Sequence, residues 1–342
     1  MKASMIIRKL FARVCDRFGL IDARYRILSN NHFVILMYHR VIPESKARLK
    51  VQAGMYVDPL TFEMHLKYLK EKFDILPLHE IPTLIHKTNN SNCGRMRAFL
   101  TIDDGWRDNY EFAFPLLNKY EIPATIFLPT GYIGTKKMFW TDQLALLLGG
   151  LENITDDQKM SRISNRIAQE IINIRGNYSE HYENIVGRLN NTTQDEIISC
   201  ISEISSHFHI DLQNSERHYL TMEELHEMGK SGLIFYGSHT VNHKTLTSLN
   251  RQDVKRELEQ SKDWLLNNKL VEHEFIPFSY PNGDFNSNIE KMVKSAGYHL
   301  ALTTKRKLNN INAGIFDLGR VNIHQDMTSS KSMFAARIAG IY

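Results

Sequence analysis

Eight short apolar runs, separated by segments with helical periodicity, constrain the fold of this chain more than any other feature. Each run is four to six residues long and rich in β-branched and aromatic side chains, which is typical of a strand buried on both faces. The runs cover residues 33–38, 73–78, 98–103, 123–128, 233–236, 275–280, 299–303 and 318–323. Strands that alternate with helices predict a parallel sheet, and about eight of them predict an α/β fold of the (β/α) barrel type, closed or incomplete.

The alternation stops between residues 142 and 218. An apolar residue recurs there every three or four positions from Met160 to Ile174, and Thr193-x-x-Glu196 has the spacing of a capping box at a helix start. Runs of the strand type are absent from this segment of the sequence. It therefore predicts a helical insertion within the barrel.

The first thirty residues carry an excess of positive charge. They contain seven basic and two acidic side chains, a net charge of +5, whereas the whole chain carries +4. The rest of the chain is thus close to neutral, which argues against a nucleic-acid-binding protein. Five apolar side chains at helical spacing, with basic ones between them, predict an amphipathic helix: Ile7, Leu10, Phe11, Val14 and Phe18. Such a helix either lies in the headgroup region of an anionic membrane or packs on the barrel.

The predicted segments, in chain order, are the basic amphipathic helix, the first part of the barrel, the helical insertion and the second part of the barrel: 1–30, 31–141, 142–218 and 219–342. Charges interrupt the apolar runs at the start of the chain, unlike in a secretory signal, and no apolar stretch has the length of a membrane span. Three scattered cysteines, Cys15, Cys93 and Cys200, do not form a disulfide framework. These features predict a cytoplasmic protein, with a peripheral contact at the inner face of the membrane.

Ionisable side chains follow several of the predicted strands. Asp103 and Asp104 end the run 98–103 and precede Gly105, which by itself is also the pattern of an ordinary Asp-Gly turn. Three further strands end at histidines: His39, the pair His239 and His243, and His324. Because the carboxyl ends of the strands of a (β/α) barrel meet at one face, these side chains are predicted to share a site.

Two histidines and one carboxylate form a metal-binding set with positions left open for water and substrate. A metal there lowers the pKa of water toward ~7 and polarises a carbonyl group. The second carboxylate then acts as a base, and a histidine opposite it protonates the leaving group. Adjacent residues of a strand point to opposite faces, so the turn at Gly105 has to rotate the two carboxylates toward one site.

Four motifs, in this order, resemble those of the polysaccharide deacetylases of carbohydrate esterase family 4, the NodB-type homology domain. They are Thr-Ile-Asp-Asp-Gly-Trp-Arg-Asp-Asn-Tyr, Gly-Ser-His-Thr-Val-Asn-His, Phe-Ser-Tyr-Pro-Asn-Gly and Ala-Gly-Tyr-x-x-Ala-Leu-Thr-Thr. The resemblance covers residues 33–325 apart from the insertion and implies a distorted (β/α)7 barrel. It also implies that Asp103 is the general base and that Asp104, His239 and His243 bind a divalent metal, usually zinc.

The third motif departs from the family pattern. Many members have an arginine that orients the base and a tyrosine beside the oxyanion, where this chain has Ser279 and Asn282. Arg320 is the candidate that supplies the missing guanidinium. A backbone N–H near Asn282 is the candidate for the oxyanion, since a backbone donor needs no particular side chain. Tyr280 and Trp106, which adjoin the motifs, are candidates for lining a sugar groove.

The general acid is the second open assignment. Family members with a Met-Tyr-His first strand look as if they use that histidine, here His39, and others use one on the last strand, here His324. His39 is favoured and His324 is the alternative.

The function implied is metal-dependent removal of the N-acetyl group from an amino sugar, with release of acetate. The expected substrate is a saccharide or lipid-linked saccharide of cell-surface polysaccharide biosynthesis, and the expected ion is Zn²⁺, with Co²⁺, Ni²⁺, Mn²⁺ or Fe²⁺ as alternatives. An O-acetyl esterase of the same fold, or a metal-dependent glycosyltransferase that uses the Asp-Asp pair, is the alternative function. A non-haem iron oxygenase fits less well, because such enzymes usually have a β-sandwich and not alternating strands and helices. A non-catalytic sugar-binding module fits less well, because all four site residues are present.

Overall fold

A computed structural model describes residues 2–47, 54–86, 94–152, 154, 166–172, 178–189, 192–212 and 217–341. Cys93 and the positions Met160 and Ile174 of the predicted insertion lie outside these residues. Contact clustering divides the chain into two compact units, one formed by Met1–Pro43, Gly54–Thr135 and Tyr219–Tyr342 and the other by Glu44–Ala53 and Lys136–His218. The predicted segment boundaries stay predictions.

The described strands are β1 (His32–Tyr38), β2 (Arg40–Val41), β3 (Tyr56–Val57), β4 (Phe73–Ile75), β5 (Met96–Ile102), β6 (Ala124–Leu128), β7 (Ile234–Ser238), β8 (Pro277–Ser279), β9 (Leu300–Leu302), β10 (Asn309–Asn310) and β11 (Val321–Asn322). The described helices are α1 (Lys2–Arg17), α2 (Leu20–Leu28), α3 (Glu44–Ala47), α4 (Pro59–Lys72), α5 (Ile81–His86), α6 (Phe114–Tyr120), α7 (Trp140–Leu151), α8 (Arg166–Ile172), α9 (Tyr178–Leu189), α10 (Gln194–Phe208), α11 (Met222–Lys230), α12 (Arg251–Asn267), α13 (Ser287–Ser295), α14 (Gln325–Thr328) and α15 (Lys331–Ile338).

The first unit is a distorted barrel of parallel strands. Its strands pair in the order β1-β5-β6-β7-β8-β9, and β11 pairs in parallel with the other side of β1. Leu318 forms a parallel bridge with Leu302 of β9, so the segment that leads into β11 connects the last strand to the first. Among the described residues, seven parallel strands thus form the ring, which confirms the predicted fold class.

Three pairings differ from the simple alternation. The predicted strand 73–78 ends at Ile75, because Pro77 has no N–H for a ladder and precedes a 3-10 turn at Leu78–Glu80. The strand that remains, β4, pairs only with the beginning of β5 and lies outside the ring. The two-residue strands β2, β3 and β10 are too short to give a periodic pattern in the sequence, and β10 is antiparallel to β1.

Both faces of the ring strands are buried, as the continuous apolar runs predict. One buried cluster is formed by Phe33 and Ile35 of β1, Phe99 of β5, Phe127 of β6 and Leu300 of β9. Val34 and Leu36, which alternate with the first two, are fully buried as well. The strands are therefore held from both sides, which leaves their carboxyl ends as rigid supports for the side chains that follow them.

Side-chain caps fix where several helices begin. Asp58 accepts a hydrogen bond from the N–H of Leu60 ahead of Pro59, and Asn250 accepts one from the N–H of Asp253. Thr193 and Thr221 each form a complete capping box with the glutamate three residues later. The capping box predicted at Thr193 is thereby confirmed, since capping depends on neighbouring residues rather than on the rest of the fold.

In the second unit, the described elements between residues 136 and 212 are helices. They share one apolar core, to which α7 contributes Leu144, Leu147 and Leu148 and α10 contributes Ile197 and Ile201. This agrees with the helical character predicted for the insertion. No helix in the described part of the chain combines the length and apolar composition needed to cross a bilayer.

A buried histidine makes the stability of the barrel unit sensitive to acid. Nε2 of His65 donates to the carbonyl of Thr328 at 2.8 Å, so Nδ1 is the acceptor for the hydroxyl of Tyr38 at 3.3 Å. The ring stacks on Phe334 at a centroid distance of 3.8 Å. Burial lowers the pKa of His65 to about 3, although the bond to Thr328 opposes it. His65 is thus neutral in the folded protein at neutral pH.

Replacing His65 with glutamine is expected to flatten the loss of stability in acid. The unfolded chain takes up a proton on His65 below pH ~6.5, whereas the folded chain does so only near the lowered pKa of about 3. Within this window the free energy of unfolding therefore falls by up to ~1.4 kcal/mol for each pH unit of acidification. Urea unfolding at several pH values between 7 and 4 measures this slope. His79→Gln, at a half-exposed position, is the matched control, and equal slopes for the two variants would contradict the assignment.

Candidate active site

The turn after β5 brings two carboxylates to the same side. The N–H of Asp103 continues the strand ladder by donating to the carbonyl of Tyr38 at 2.9 Å. Asp104 then adopts a left-handed φ of 76°, and Gly105 follows at 61°. The left-handed φ of Gly105 would strain any residue with a side chain, so glycine is favoured at this position. The rotation therefore begins at Asp104 itself, one residue earlier than the sequence predicts.

Asp104, His239 and His243 form a compact set of ligand atoms. Oδ1 of Asp104 lies 3.6 Å from Nε2 of His239 and 3.4 Å from Nε2 of His243, and the three atoms lie within 4.8 Å of one another. Among the described residues, this buried oxygen accepts no hydrogen bond. Donors that each lie ~2.1 Å from one ion are at most about 4.2 Å apart, and both measured separations satisfy that limit. The residues fit a divalent cation.

The tautomer of His239 is fixed for this role. Its Nδ1 lies 2.8 Å from the carbonyl oxygen of Ser279, which only accepts, so Nδ1 carries the proton and Nε2 presents its lone pair to Asp104. Burial lowers the pKa of both His239 and His243 to about 4. Both imidazoles are therefore neutral at pH 7, the form that binds a metal.

The loop between the two histidines is held by a carboxylate from α12. Thr240 and His243 both have left-handed φ values, 66° and 54°. Oε2 of Glu257 accepts the N–H groups of Val241 and Asn242 at 2.8 and 2.9 Å, and Oε1 accepts the side-chain amide of Asn242 at 2.7 Å. Glu257 thereby fixes a strained loop that positions His243.

Replacing Glu257 with glutamine is expected to lower the affinity for a divalent ion about 10- to 100-fold, as for other groups that orient metal ligands. In the variant, one of the two accepting oxygens becomes an NH₂ group, which cannot accept the hydrogen bonds that the loop donates to Glu257. The loop therefore loses its fixed conformation. Calorimetric titration with Zn²⁺ measures the change. Glu259→Gln on the same helix, where the carboxylate lies 3.7 Å from Lys255 at the surface, is the control; equal affinities of the two variants would contradict this role.

Asp103 is paired with Arg320 at the centre of the site. Nη1 and Nη2 of Arg320 each donate to one carboxylate oxygen of Asp103 at 2.7 Å, and both residues are buried. The remaining donors bind the carbonyl of Thr303, the hydroxyl of Thr101 and the hydroxyl of Ser279, at 3.0, 3.3 and 2.9 Å. Burial by itself would raise the pKa of Asp103, but the charge of Arg320 and its two hydrogen bonds hold it well below the ordinary value. Asp103 is consequently ionised.

The two candidate acids have different surroundings. His39 follows β1 and lies near Asp103; burial raises the pKa of that carboxyl, Arg320 lowers it most, and His39 has a smaller lowering effect. The pKa of His243 is lowered by burial and, to a smaller extent, by the proximity of His39. Nδ1 of His324 lies 3.6 Å from Oδ2 of Asp326, and the proximity of this histidine lowers the pKa of that carboxyl. These interactions favour His39 as the histidine beside Asp103 and His243, and its role as the acid stays a prediction.

Two of the predicted substrate contacts do not fit the structure. Tyr280 is fully buried, packs on Phe285 and donates its hydroxyl to the carbonyl of Phe316 at 3.1 Å, so its ring cannot face a sugar. Trp106 is also buried, and its indole N–H donates to Oδ2 of Asp104 at 3.2 Å. Trp106 therefore orients a predicted metal ligand rather than lining a groove.

Asn282 is exposed and adopts a left-handed φ of 57° in a turn beside the site. Its side-chain amide donates to the hydroxyl of Thr245 at 2.8 Å, and its carbonyl accepts from Thr304 at 3.1 Å. Gly283 follows, where a Cβ would lie 2.1 Å from Thr304 Oγ1. The turn is tightly packed, and the oxyanion role of the backbone there stays a prediction.

The sequence reasoning did not identify Arg40 and Asp108 as parts of the site. The Arg40 guanidinium lies 4.3 Å from the centre of the Trp106 ring and donates to Asp108 at 2.7 Å. Asp108 also accepts the N–H of Val41 at 3.1 Å. The signal in the sequence was the position of Arg40 directly after His39 and of Asp108 two residues after Trp106.

Comparisons with known proteins agree on one family. The chain matches the polysaccharide deacetylase family over residues 91–301. YxkH of Bacillus subtilis (strain 168), which is assigned as a polysaccharide deacetylase, is 24% identical over 297 residues, 86% of this chain and 73% of YxkH. The Streptococcus pyogenes deacetylase PplD, solved in complex with acetate, is 21% identical with a TM-score of 0.55 and coverages of 87% of this chain and 94% of PplD. IcaB from Ammonifex degensii is 18% identical with a TM-score of 0.55, over 89% of this chain and 97% of IcaB. The two structural likenesses support the barrel fold.

Proposed function

The chain belongs to the polysaccharide deacetylase family and is a hydrolase of that kind, and we propose that it removes N-acetyl groups from amino sugars with a divalent ion and with Asp103 as the base. The observation that carries the proposal is the orphaned Oδ1 of Asp104, 3.4 and 3.6 Å from two neutral imidazoles. A glycosyltransferase, the alternative from the Asp-Asp pair, is set aside by the family membership.

Asp104, His239 and His243 are the residues proposed to hold the ion. When bound, the ion supplies Lewis acidity that polarises the acyl carbonyl and makes water more acidic, and Zn²⁺ suits a set of two imidazoles and one carboxylate. The Nδ1–H bond of His239 to Ser279 and the indole N–H bond of Trp106 to Asp104 keep the donor atoms aimed at one point.

Asp103 and His39 are proposed to move the protons. The carboxylate of Asp103, kept ionised by Arg320, accepts a proton from the water whose oxygen bonds to the acetyl carbon. The C–N bond then breaks, and His39 gives its proton to the departing nitrogen. The products are acetate and a free amino sugar, so the atoms balance with water as the only co-reactant.

The proposed substrate is an N-acetylated amino sugar in a saccharide or lipid-linked saccharide of cell-surface polysaccharide biosynthesis. The acetate bound to the structural relative PplD supports an acetyl group as the part removed. The cytoplasmic location predicted from the sequence stays a prediction.

Acetate release from a panel of N-acetylhexosamine oligomers and lipid-linked sugars, with and without a chelator, tests the proposal. Release that stops with chelator and returns with Zn²⁺ is expected. Release that is unaffected by chelator would contradict the metal, and release only from O-acetylated analogues would favour the esterase. In the same assay His39→Ala is expected to lose about 10²- to 10⁴-fold in rate, and a comparable loss in His324→Ala alone would assign the acid to His324.

A further inference from the structure

A stripe of large apolar side chains on α1 faces solvent. Ile7 and Phe18 are 67% and 71% exposed, and Leu10, Phe11 and Val14 between them are also largely exposed. These five positions recur every three or four residues, so they share one face of the helix. Monomeric proteins rarely expose such a continuous apolar surface without a function.

The stripe is not the face that packs on the barrel unit. From Ile7 onward, where the structure describes the side chains of α1, Ala12 and Cys15 are the buried ones, and Asp16 accepts a hydrogen bond from Ser332 of α15 at 2.6 Å. In a helix with 100° per residue these positions lie about a quarter to a half turn away from the stripe. The apolar stripe of α1 is therefore left uncovered by α15.

The next helix, α2, continues the exposed apolar surface. Ile21 and Tyr25 are buried, and Tyr25 donates its hydroxyl to the carbonyl of Ala335. Leu20 and Ile27 lie on the other face and are 54% and 78% exposed. The two helices therefore present seven large apolar side chains in all, which form what we call the apolar stripe: Ile7, Leu10, Phe11, Val14, Phe18, Leu20 and Ile27.

Basic side chains border the apolar stripe. Arg13 and Arg17 are exposed and, at 100° per residue, lie beside one edge of it on α1. Near the end of α2, Arg24, His32, Arg306 and Lys307 line a cavity of about 280 Å³. An acidic group next to it is Asp317, which pairs with Lys307 at 3.1 Å. Nδ1 of His32 is buried and has no hydrogen-bond partner among the described residues.

We propose that the apolar stripe and the basic cavity together dock the protein on an anionic lipid bilayer. The apolar side chains enter the boundary between headgroups and acyl chains, the basic edge meets the negative surface, and the cavity takes the phosphate of a lipid headgroup. Charge complementarity selects this occupant, since residues 1–30 carry +5 and the rest of the chain is close to neutral. A second copy of the chain would instead bring two surfaces of the same charge together.

Co-sedimentation of the full-length protein with vesicles tests this docking. Binding to vesicles in which about a third of the lipid is phosphatidylglycerol, and much weaker binding to pure phosphatidylcholine, is expected. Raising the salt concentration is expected to weaken it. Equal binding to both vesicles, or none, would overturn the proposal. Asp103→Asn is expected to bind as the wild type does, so a failure of the docking is distinct from a failure of the proposed reaction.

Variants separate the contributions of the surface. Phe11→Ser combined with Phe18→Ser is expected to weaken vesicle binding at least about tenfold, whereas Leu60→Ser, at an equally exposed leucine of α4, leaves it unchanged. Arg13→Gln with Arg17→Gln is expected to reduce the preference for anionic lipid, and the surface pair Lys255→Gln with Arg256→Gln is its control.

Arg306→Gln tests the cavity. The variant is expected to bind anionic vesicles several-fold more weakly than the wild type. Inorganic phosphate at millimolar concentration is expected to leave the binding of the wild type to vesicles intact, since a free anion does not replace the apolar contacts. Full displacement by phosphate would indicate a site for free phosphate instead. A lower molecular mass in solution for the double variant Phe11→Ser with Phe18→Ser would indicate that the apolar stripe is a dimer surface. Full displacement by phosphate or this change of mass would each overturn the proposal.

Discussion

Replacing Arg320 with alanine is expected to lower the rate of acetate release by about 10²- to 10⁴-fold, the range of a lost general base. Asp103 is buried and Arg320 supplies both of its short hydrogen bonds. Without the guanidinium, burial raises the pKa of Asp103, and the neutral acid accepts no proton from water. Unchanged activity in this variant would rule out the role of Arg320.

Because the alanine variant also leaves a buried carboxyl without its partner, it is expected to be less stable by several kcal/mol. Arg320→Lys keeps a positive charge but loses the paired geometry. In that variant the acid limb of the pH profile of kcat/KM is expected to move to higher pH, since a raised pKa protonates the base at a higher pH. A purely structural role would lower the yield of folded protein without moving that limb.

Replacing His239 with alanine is expected to remove divalent-ion binding and to reduce acetate release at least about 10³-fold. The ion contributes several kcal/mol of transition-state stabilisation, and each 1.36 kcal/mol is about a tenfold change in rate. Two ligand atoms, Oδ1 of Asp104 and Nε2 of His243, remain 3.4 Å apart in this variant, too few for a tight site. Metal content after dialysis and the rate of acetate release are the two measurements.

His226→Ala is the matched control for this substitution. That histidine lies on α11, and its Nε2 bonds the carbonyl of Asn268 at 3.1 Å at the surface. It is expected to keep both metal and activity. Retained activity in His239→Ala would contradict the metal site and would favour chemistry that needs only the two carboxylates.

The sequence predicts the barrel and the candidate site where the signals are local or lie at strand ends. The apolar runs locate the ring strands, because strands buried on both faces need continuous apolar residues. The carboxylates and histidines follow those runs directly, so their convergence follows from the parallel arrangement. Arg320 was recognisable because Ser279 stands where the family pattern has an arginine, and the structure brings Arg320 onto Asp103.

The parts that the sequence does not predict depend on tertiary contacts. Glu257 lies in a helix with many charged residues, a pattern typical of an exposed helix face. The packing of α12 against the loop of His243 nevertheless buries this carboxylate. Tyr280 adjoins a motif yet points away from the site, because alternate residues near the end of β8 face opposite sides. The amphipathic pattern ends at Phe18, before the break at Gly19 with φ 68°, and α2, which follows the break, was not predicted from it.

The pair of Asp103 and Arg320 joins positions 217 residues apart. A ribosome therefore completes most of the polypeptide before the carboxylate acquires its counter-ion. A chain that ended before position 320 would lack the guanidinium that keeps the buried carboxylate of Asp103 ionised. Arg320 directly precedes β11, so the strand that pairs with β1 to close the ring also brings in the partner of the proposed base.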